Sequence, residues 1–317
     1  MTKIPVIAVV GPTASGKTAL AVELAKRFNG EIISADSMQI YKGMAIATAQ
    51  PTKEEMGGIP HHLIAFADVS ERFSVADYVK LARKEIEDIS AKSKLPIIAG
   101  GTGLYIDSLF SIDFEETDSS DEIRERLEKE YDRIGGEAML AKLNVIDEKS
   151  AQKLHPSDKK RIIRALEIYK LSGKRKSETD NLSKKTDLPY FPIYIGINFK
   201  KREKLYERIN LRVDEMVKNG LLEEAEQFYN LDSKTTSSQA IGYKELSTYF
   251  KNEEKLETCI ENLKKESRHY AKRQLTWFRR NEKIKWFYPD EYSKKEDFIT
   301  NVLNYTNDLL KGEMENE

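Results

Sequence analysis

Cysteine is almost missing from this chain: Cys259 is the only one in 317 residues. That excludes a disulfide framework and any cysteine-built zinc site, and it fits a reducing compartment. Long apolar runs are missing too, so no stretch approaches a membrane span. The few residues ahead of the first glycine-rich segment leave no room for a signal or transit peptide. Charge of one sign is not in excess, since 52 basic residues face 53 acidic ones; a polyanionic partner would have to be held by local clusters rather than by a global field. No internal repeat is visible. These absences lead us to expect a soluble, cytoplasmic protein with no membrane partner, large enough for one domain with an insertion or for two sizeable cores.

What is present begins with Gly11-Pro12-Thr13-Ala14-Ser15-Gly16-Lys17-Thr18, a match to the phosphate-binding pattern G-x-x-x-x-G-K-[ST]. The apolar run Ile4 to Val10 before it reads as a buried parallel strand, and Ala19 to Phe28 after it reads as a helix. In that order, loop amides and a helix N-terminus converge on a phosphate chain, Lys17 adds a point charge, and the Thr18 hydroxyl is placed to ligate magnesium. Further strand-like runs at Glu31 to Ala35, Leu95 to Ala99 and Phe191 to Ile197 alternate with helical patterns such as Val75 to Ile89. The expected fold class is therefore α/β, a P-loop NTPase-like parallel sheet core. From about Thr117 to Asp187 the texture changes to charged helices, with Asp118 or Ser119 as the first cap. The expected division is 1–116 as the first part of the core, 117–188 as a helical insertion domain, and 189–317 as the second part of the core. Arg202 to Phe228 and Glu253 to Arg280 are long helix candidates, and the polar tail after Lys311 is expected to fray.

Asp36 follows the second strand and should stand at its carboxyl end, where open α/β sheets bind ligands. A carboxylate there can hold magnesium through water or take a proton from a nucleophile; it can equally cap the turn Ser37-Met38-Gln39. Gly100-Gly101-Thr102-Gly103 ends another strand without the aspartate usual in NTP hydrolases. Its glycines allow either close approach to a ligand or a tight turn. Arg208 and Arg212 lie one helical turn apart and can clamp phosphate oxygens together, or pair with Glu207 and Glu215.

Two basic clusters stand out. One runs through Lys159-Lys160-Arg161-Ile162-Ile163-Arg164 to Lys174-Arg175-Lys176. The other runs from Lys264 to Arg280 and is interleaved with Tyr270, Trp277 and Phe278. Cations among aromatics suit an RNA backbone with stacked bases, although large aromatics are more often core. His61-His62 lacks the spacing of a metalloprotease site.

Taken together, the segments resemble the bacterial tRNA dimethylallyltransferases (tRNA isopentenyltransferases) over nearly the whole chain. The landmarks are Gly11 to Thr18, Asp36-Ser37-Met38-Gln39-Ile40-Tyr41-Lys42-Gly43, His61 to Ile64, Ser74 to Tyr78, Gly100 to Tyr105, Arg161 to Glu167, Ala240 to Glu245 and Tyr270 to Trp277. The resemblance implies transfer of a dimethylallyl group from dimethylallyl diphosphate to N6 of the adenosine 3′ to the anticodon, with release of diphosphate. It also implies Gly11 to Thr18 as the diphosphate cradle, Thr13, Lys17, Arg208 and Arg212 beside Asp36 in the reaction, Mg2+ at Thr18, and Asp36 as general base. For tRNA it implies Asp36, Ser37, Met38, Gln39, Thr102, Arg124, Lys160, Arg161, Ile162, Ile163 and Arg164, with the insertion contacting the anticodon stem-loop of a monomeric enzyme. Departures occur in one loop: Ala45-Ile46-Ala47-Thr48-Ala49-Gln50-Pro51 stands where Asp-Ile-Gly-Thr-Ala-Lys-Pro is usual, and Ala65 replaces an aspartate. The alternatives are a small-molecule kinase using ATP, an adenylate isopentenyltransferase, and a non-catalytic RNA-binding protein.

Overall fold

The computed structural model describes residues 3–111, 120–178, 189–229 and 240–315. They form two compact units, Met1–Phe110 with Pro189–Glu317, and Ser111–Leu188. The boundaries expected at 117 and 188, and the expected caps Asp118 and Ser119, lie outside the described residues.

In the first unit the chain alternates β1 (Ile4–Val10), α1 (Lys17–Phe28), β2 (Gly30–Ser34), α2 (Lys53–Met56), β3 (His61–His62), α3 (Val75–Ala91), β4 (Leu95–Gly100) and α4 (Gly103–Leu109). The six strands among the described residues, counting β5 (Tyr190–Ile197) and β6 (Lys285–Phe287), form one all-parallel sheet in the order β3-β2-β4-β1-β5-β6. β1 lies between β4 and β5, and Val6 to Val10 are fully buried; a strand covered on both faces needs a continuous apolar run rather than an alternating one. Leu20 and Leu24 of α1 pack with Ile7, Ile32, Ile97 and Ile195 of the sheet, and with Phe298 and Val302 of a C-terminal helix. Each such buried side chain contributes roughly 1.5–3 kcal/mol. Ser74 starts α3 with a reciprocal cap, its hydroxyl accepting from the Asp77 amide at 3.2 Å while Asp77 accepts from the Ser74 amide at 2.8 Å.

The second unit contains α5 (Asp121–Ile134), α6 (Gly136–Ile146), α7 (Glu148–Ala151) and α8 (Lys159–Ser172). Leu127, Met139, Leu143, Ile162, Ile163 and Leu166 make its core, and the Ser120 hydroxyl caps α5 by accepting from the Ile123 amide. Ile162 and Ile163, named above as tRNA-contacting, are 0% and 3% exposed. Their side chains hold α8 against α5 and α6, because burying two isoleucines outweighs presenting them to a polar backbone.

After β5 the first unit continues with α9 (Arg202–Lys218), α10 (Leu221–Tyr229), α11 (Tyr243–Phe250), α12 (Leu256–Phe278) and, beyond β6, α13 (Lys295–Glu315). The single helix expected from Arg202 to Phe228 is broken at Gly220, whose φ of +99° lies outside the helical region. The tail expected to fray after Lys311 continues α13 to Glu315.

Candidate active site

β1, β2 and β4 are adjacent and parallel, so the segments that follow them emerge at one carboxyl edge. Those segments are the glycine-rich loop, Asp36 and Gly101-Thr102. The loop passes close beneath β5: a Cβ on Gly11 would sit 2.3 Å from the Ile197 carbonyl oxygen. Gly16 has φ +99° and lets the chain turn directly into α1.

Helices far along the chain hold this loop. Arg212 of α9 donates to the Thr13 hydroxyl at 2.8 Å, and Arg208 donates to the Ala14 carbonyl at 2.9 Å. From α12, Gln274 accepts from the Thr13 amide at 2.8 Å and donates to the Gly101 carbonyl at 3.0 Å, tying two of the strand-end loops together. The Thr13 amide is therefore engaged within the protein, and the Ser15 amide donates to the Pro12 carbonyl. Lys17 is half-buried and donates to the Pro12 carbonyl at 2.7 Å. Burial and the Arg212 guanidinium bring its pKa down to about 7, with Asp36 opposing them; burial also lowers Arg212.

Asp36 Oδ1 accepts from the Met38 amide at 2.9 Å and the Gln39 amide at 3.4 Å. The turn-capping role is thus real, and it fixes the carboxylate in the lining of a cavity of about 300 Å³. The Ser37 amide donates to the Thr102 hydroxyl at 3.0 Å, so Asp36-Ser37 is anchored to the loop after β4. Thr13, Lys17, Thr18, Asp36, Ser37, Met38, Gln39 and Arg212 all line this one cavity, which is also lined by the apolar side chains Ile209, Val213 and Met216 of α9 and by Leu221 and Leu263. Sequence reading missed Ser267 and Gln274 as parts of this site and took Tyr270 and Arg273 for the RNA surface. Leu263, Ser267, Tyr270 and Gln274 recur at helical spacing on one face of α12, the signal that could have found them. Burial, then Asp36, pushes the Tyr270 hydroxyl up, so it stays protonated.

The glycines at the end of β4 and after it are required by the protein's own packing, and Gly100 also lines the cavity. A Cβ on Gly100 would lie 2.1 Å from the Ala35 carbonyl oxygen, on Gly101 2.1 Å from Gln274, and on Gly103 2.2 Å from Trp277. Phe278 is core at 1% exposure. Trp277 donates its indole N–H to Asp107 at 2.8 Å, with the Arg280 guanidinium 4.1 Å from its ring centroid. His62 bridges Glu31 at 2.8 Å and Glu85 at 2.9 Å.

The IPP transferase family model matches residues 39–281. This chain belongs to that family. It is 49% identical to a tRNA dimethylallyltransferase of Caldanaerobacter subterraneus over 97% of this chain and 99% of that one. It is 50% identical to one from a Thermoanaerobacter species over 95% and 97%. Among solved structures it is similar to a tRNA isopentenylpyrophosphate transferase from Bacillus halodurans, with TM-score 0.73, 43% identity and 99% of both chains covered. It is also similar to a eukaryotic dimethylallyltransferase acting on tRNA, with TM-score 0.83 and 32% identity over 98% of this chain and 80% of that one.

The segment Ala45 to Gln50, where the sequence reading expected a departure, is held by a set of hydrogen bonds. Ala47 is not among the residues with positive φ, so a side chain there brings no backbone strain. Gln50 donates to the Gln39 carbonyl at 3.0 Å and the Tyr41 carbonyl at 2.9 Å, and Gln39 donates to the Thr48 and Ala49 carbonyls at 3.2 and 3.0 Å. Ala49 and Ala65 do adopt left-handed backbone, φ 46° and 49°, which costs roughly 1–2 kcal/mol for an L-residue other than asparagine or aspartate. In the helical unit Arg124 and Arg164 face inward to Glu167, at 3.1 and 2.8 Å, while Lys160 and Arg161 are exposed.

Among the described residues no group of three or more His, Cys, Asp or Glu side chains is arranged for a metal, and no helix is long and apolar enough to cross a membrane.

Proposed function

We propose that this protein transfers the dimethylallyl group of dimethylallyl diphosphate to N6 of the adenosine 3′ to the anticodon of tRNA. The observation that carries the reading is one cavity lined both by the glycine-rich loop with Asp36 and by the apolar side chains Ile209, Val213, Met216, Leu221 and Leu263. That is the shape of an isoprenoid diphosphate meeting a nucleophile. The names of its relatives point the same way.

The loop and the start of α1 hold the diphosphate, and Lys17 and Arg212 meet the charge that grows on it as the bond from allylic carbon to oxygen breaks. Arg212 donates to Thr13, so the Thr13 hydroxyl proton is left to donate elsewhere, toward the leaving oxygens. The adenine must leave the anticodon stack to reach the cavity. Its N6 attacks the allylic carbon, the electron pair of the breaking bond goes to the diphosphate, and Asp36 Oδ2 accepts the N6 proton while Oδ1 stays bonded to the Met38 amide. Thr18 and Asp36 line the same cavity, a sparse donor set that suits Mg2+, an ion usually completed by substrate phosphates and water. When bound, Mg2+ would neutralise part of the diphosphate charge. Lys160 and Arg161 supply backbone contacts to the tRNA, with Arg124 and Arg164 shaping that surface through Glu167.

The test is mass spectrometry of nucleosides from unmodified tRNA incubated with the protein, magnesium and dimethylallyl diphosphate, beside a reaction with ATP alone. A dimethylallyl mass gain on adenosine that ATP alone does not produce is expected. tRNA binding without any gain would point to the non-catalytic reading, and ATP turnover without tRNA binding to a kinase.

A further inference from the structure

Glu224 of α10 is an acid 8% exposed, and it does not line the cavity. Its Oε2 accepts from the Ile46 amide at 2.8 Å, and its Oε1 accepts from both the Ala47 amide and the Tyr243 hydroxyl at 2.8 Å. Two consecutive amides of the loop that departs from the family pattern are therefore held by one carboxylate some 180 residues later in the chain. The loop side of this grip is the cavity wall, through Ala47, Thr48 and Ala49. Behind it, the Tyr243 ring stacks on Phe228 at 5.1 Å between centroids, and an added Cβ on Gly242 would touch Ala47 at 3.4 Å and Leu221 at 3.8 Å. Burial and the Glu224 carboxylate push the Tyr243 hydroxyl up, so it remains a donor. The wall is pinned from the other side by Gln39, whose own amide is bonded to Asp36.

We propose that Glu224 is a positioning residue that fixes the Ala47–Ala49 wall against Leu221 and so sets the length of isoprenoid chain the cavity accepts. The inference rests on the transferase reading above. No shorter or neutral side chain replaces the grip. Glutamine offers one acceptor oxygen where two amides and a hydroxyl need it, and its NH2 would face an N–H. Aspartate lacks a methylene of reach. A loosened wall gives room beside Leu221 and Val213, and discrimination by one apolar wall is worth on the order of tenfold to a hundredfold.

The experiment uses the full-length protein and unmodified tRNA, with kcat/KM measured for dimethylallyl diphosphate and for geranyl diphosphate in wild type, E224Q, E224A and Y243F. The expected result is a fall in the dimethylallyl-to-geranyl ratio on the order of tenfold in the Glu224 variants, and less in Y243F. A general loss of folded protein lowers both donors alike and leaves the ratio where it was, so the ratio separates positioning from simple destabilisation. If the Glu224 variants do not fold, Y243F decides, since it removes one hydroxyl and keeps the ring on Phe228. An active wild type whose folded variants keep its donor ratio would overturn the role of Glu224 alone. No transfer by wild type from either donor would overturn the transferase reading instead.

Discussion

The helical unit and the carboxyl edge of the sheet both bury charge, and they treat it in opposite ways. In the helical unit Glu167 is fully buried and accepts from Arg124, Arg164 and the Ser120 amide, while Asp147 accepts from the amide and hydroxyl of Ser150 and from the Ser177 amide. Burial would raise both carboxyls, but these donors outweigh it and bring Asp147 down to about 2. At the sheet edge two half-buried cations, Lys17 and Arg212, lie near each other, and both are pushed down. A charge whose donors are all supplied by the protein holds a fold together; two cations sharing one nearby carboxylate, Asp36, keep positive charge to spare for a bound anion.

Four experiments would break or sharpen that contrast. Asp36→Ala should show the largest effect, a loss of roughly 10²–10⁴ in single-turnover transfer with tRNA affinity nearly unchanged; equal loss of tRNA binding would remove Asp36 from the role of base alone. Glu167→Ala should lower unfolding stability by about 3 kcal/mol in urea titration, because Arg124, Arg164 and the Ser120 amide lose their acceptor; an unchanged midpoint would mean the triad is not what holds α5 to α8.

Asp147 should contribute up to about 2 kcal/mol of stability. Its folded pKa lies below the usual 3.8, so that contribution is complete above the unfolded value and is lost as pH falls toward about 2. Asp147→Asn should therefore flatten the acid limb of the stability curve; an identical limb would deny the effect. The smallest effect concerns Lys17. Burial and the Arg212 guanidinium lower its pKa to about 7, so its charge falls away as pH rises past that value, and a bound diphosphate favours the charged form; donor binding should therefore take up a proton above pH 7. The Kd should rise up to about tenfold per pH unit above 7, and Lys17→Met should remove that slope in calorimetry. A slope that survives the substitution would assign the proton elsewhere.

Legibility followed distance along the chain. β1 was readable to the residue, Ile4–Val10, because a doubly covered strand writes its burial into consecutive apolar positions. The phosphate loop was readable because its geometry is made by eight adjacent residues. Asp36 was placed because it directly follows a strand, and its double part as turn cap and cavity residue needed only Met38 and Gln39 nearby. That the Ile162 and Ile163 side chains are core was not legible, because a basic helix has two faces and only its packing partners say which one turns inward. Gly101 and Gly103 were open to two readings until Gln274 and Trp277, more than 170 positions away, were seen to fill the space above them.

The sequence by itself determined the parallel α/β core, the phosphate loop and the chemistry Asp36 can do, since these depend on local backbone conformation and on the order of short segments. Only the tertiary structure decided that α9 and α12 line the cavity, that Gln274 takes a loop amide, and that Glu224 holds the Ile46 and Ala47 amides. Those contacts join residues 177 to 261 positions apart. No local pattern encodes such pairings; they arise when apolar faces bury together and the polar groups carried with them must find partners.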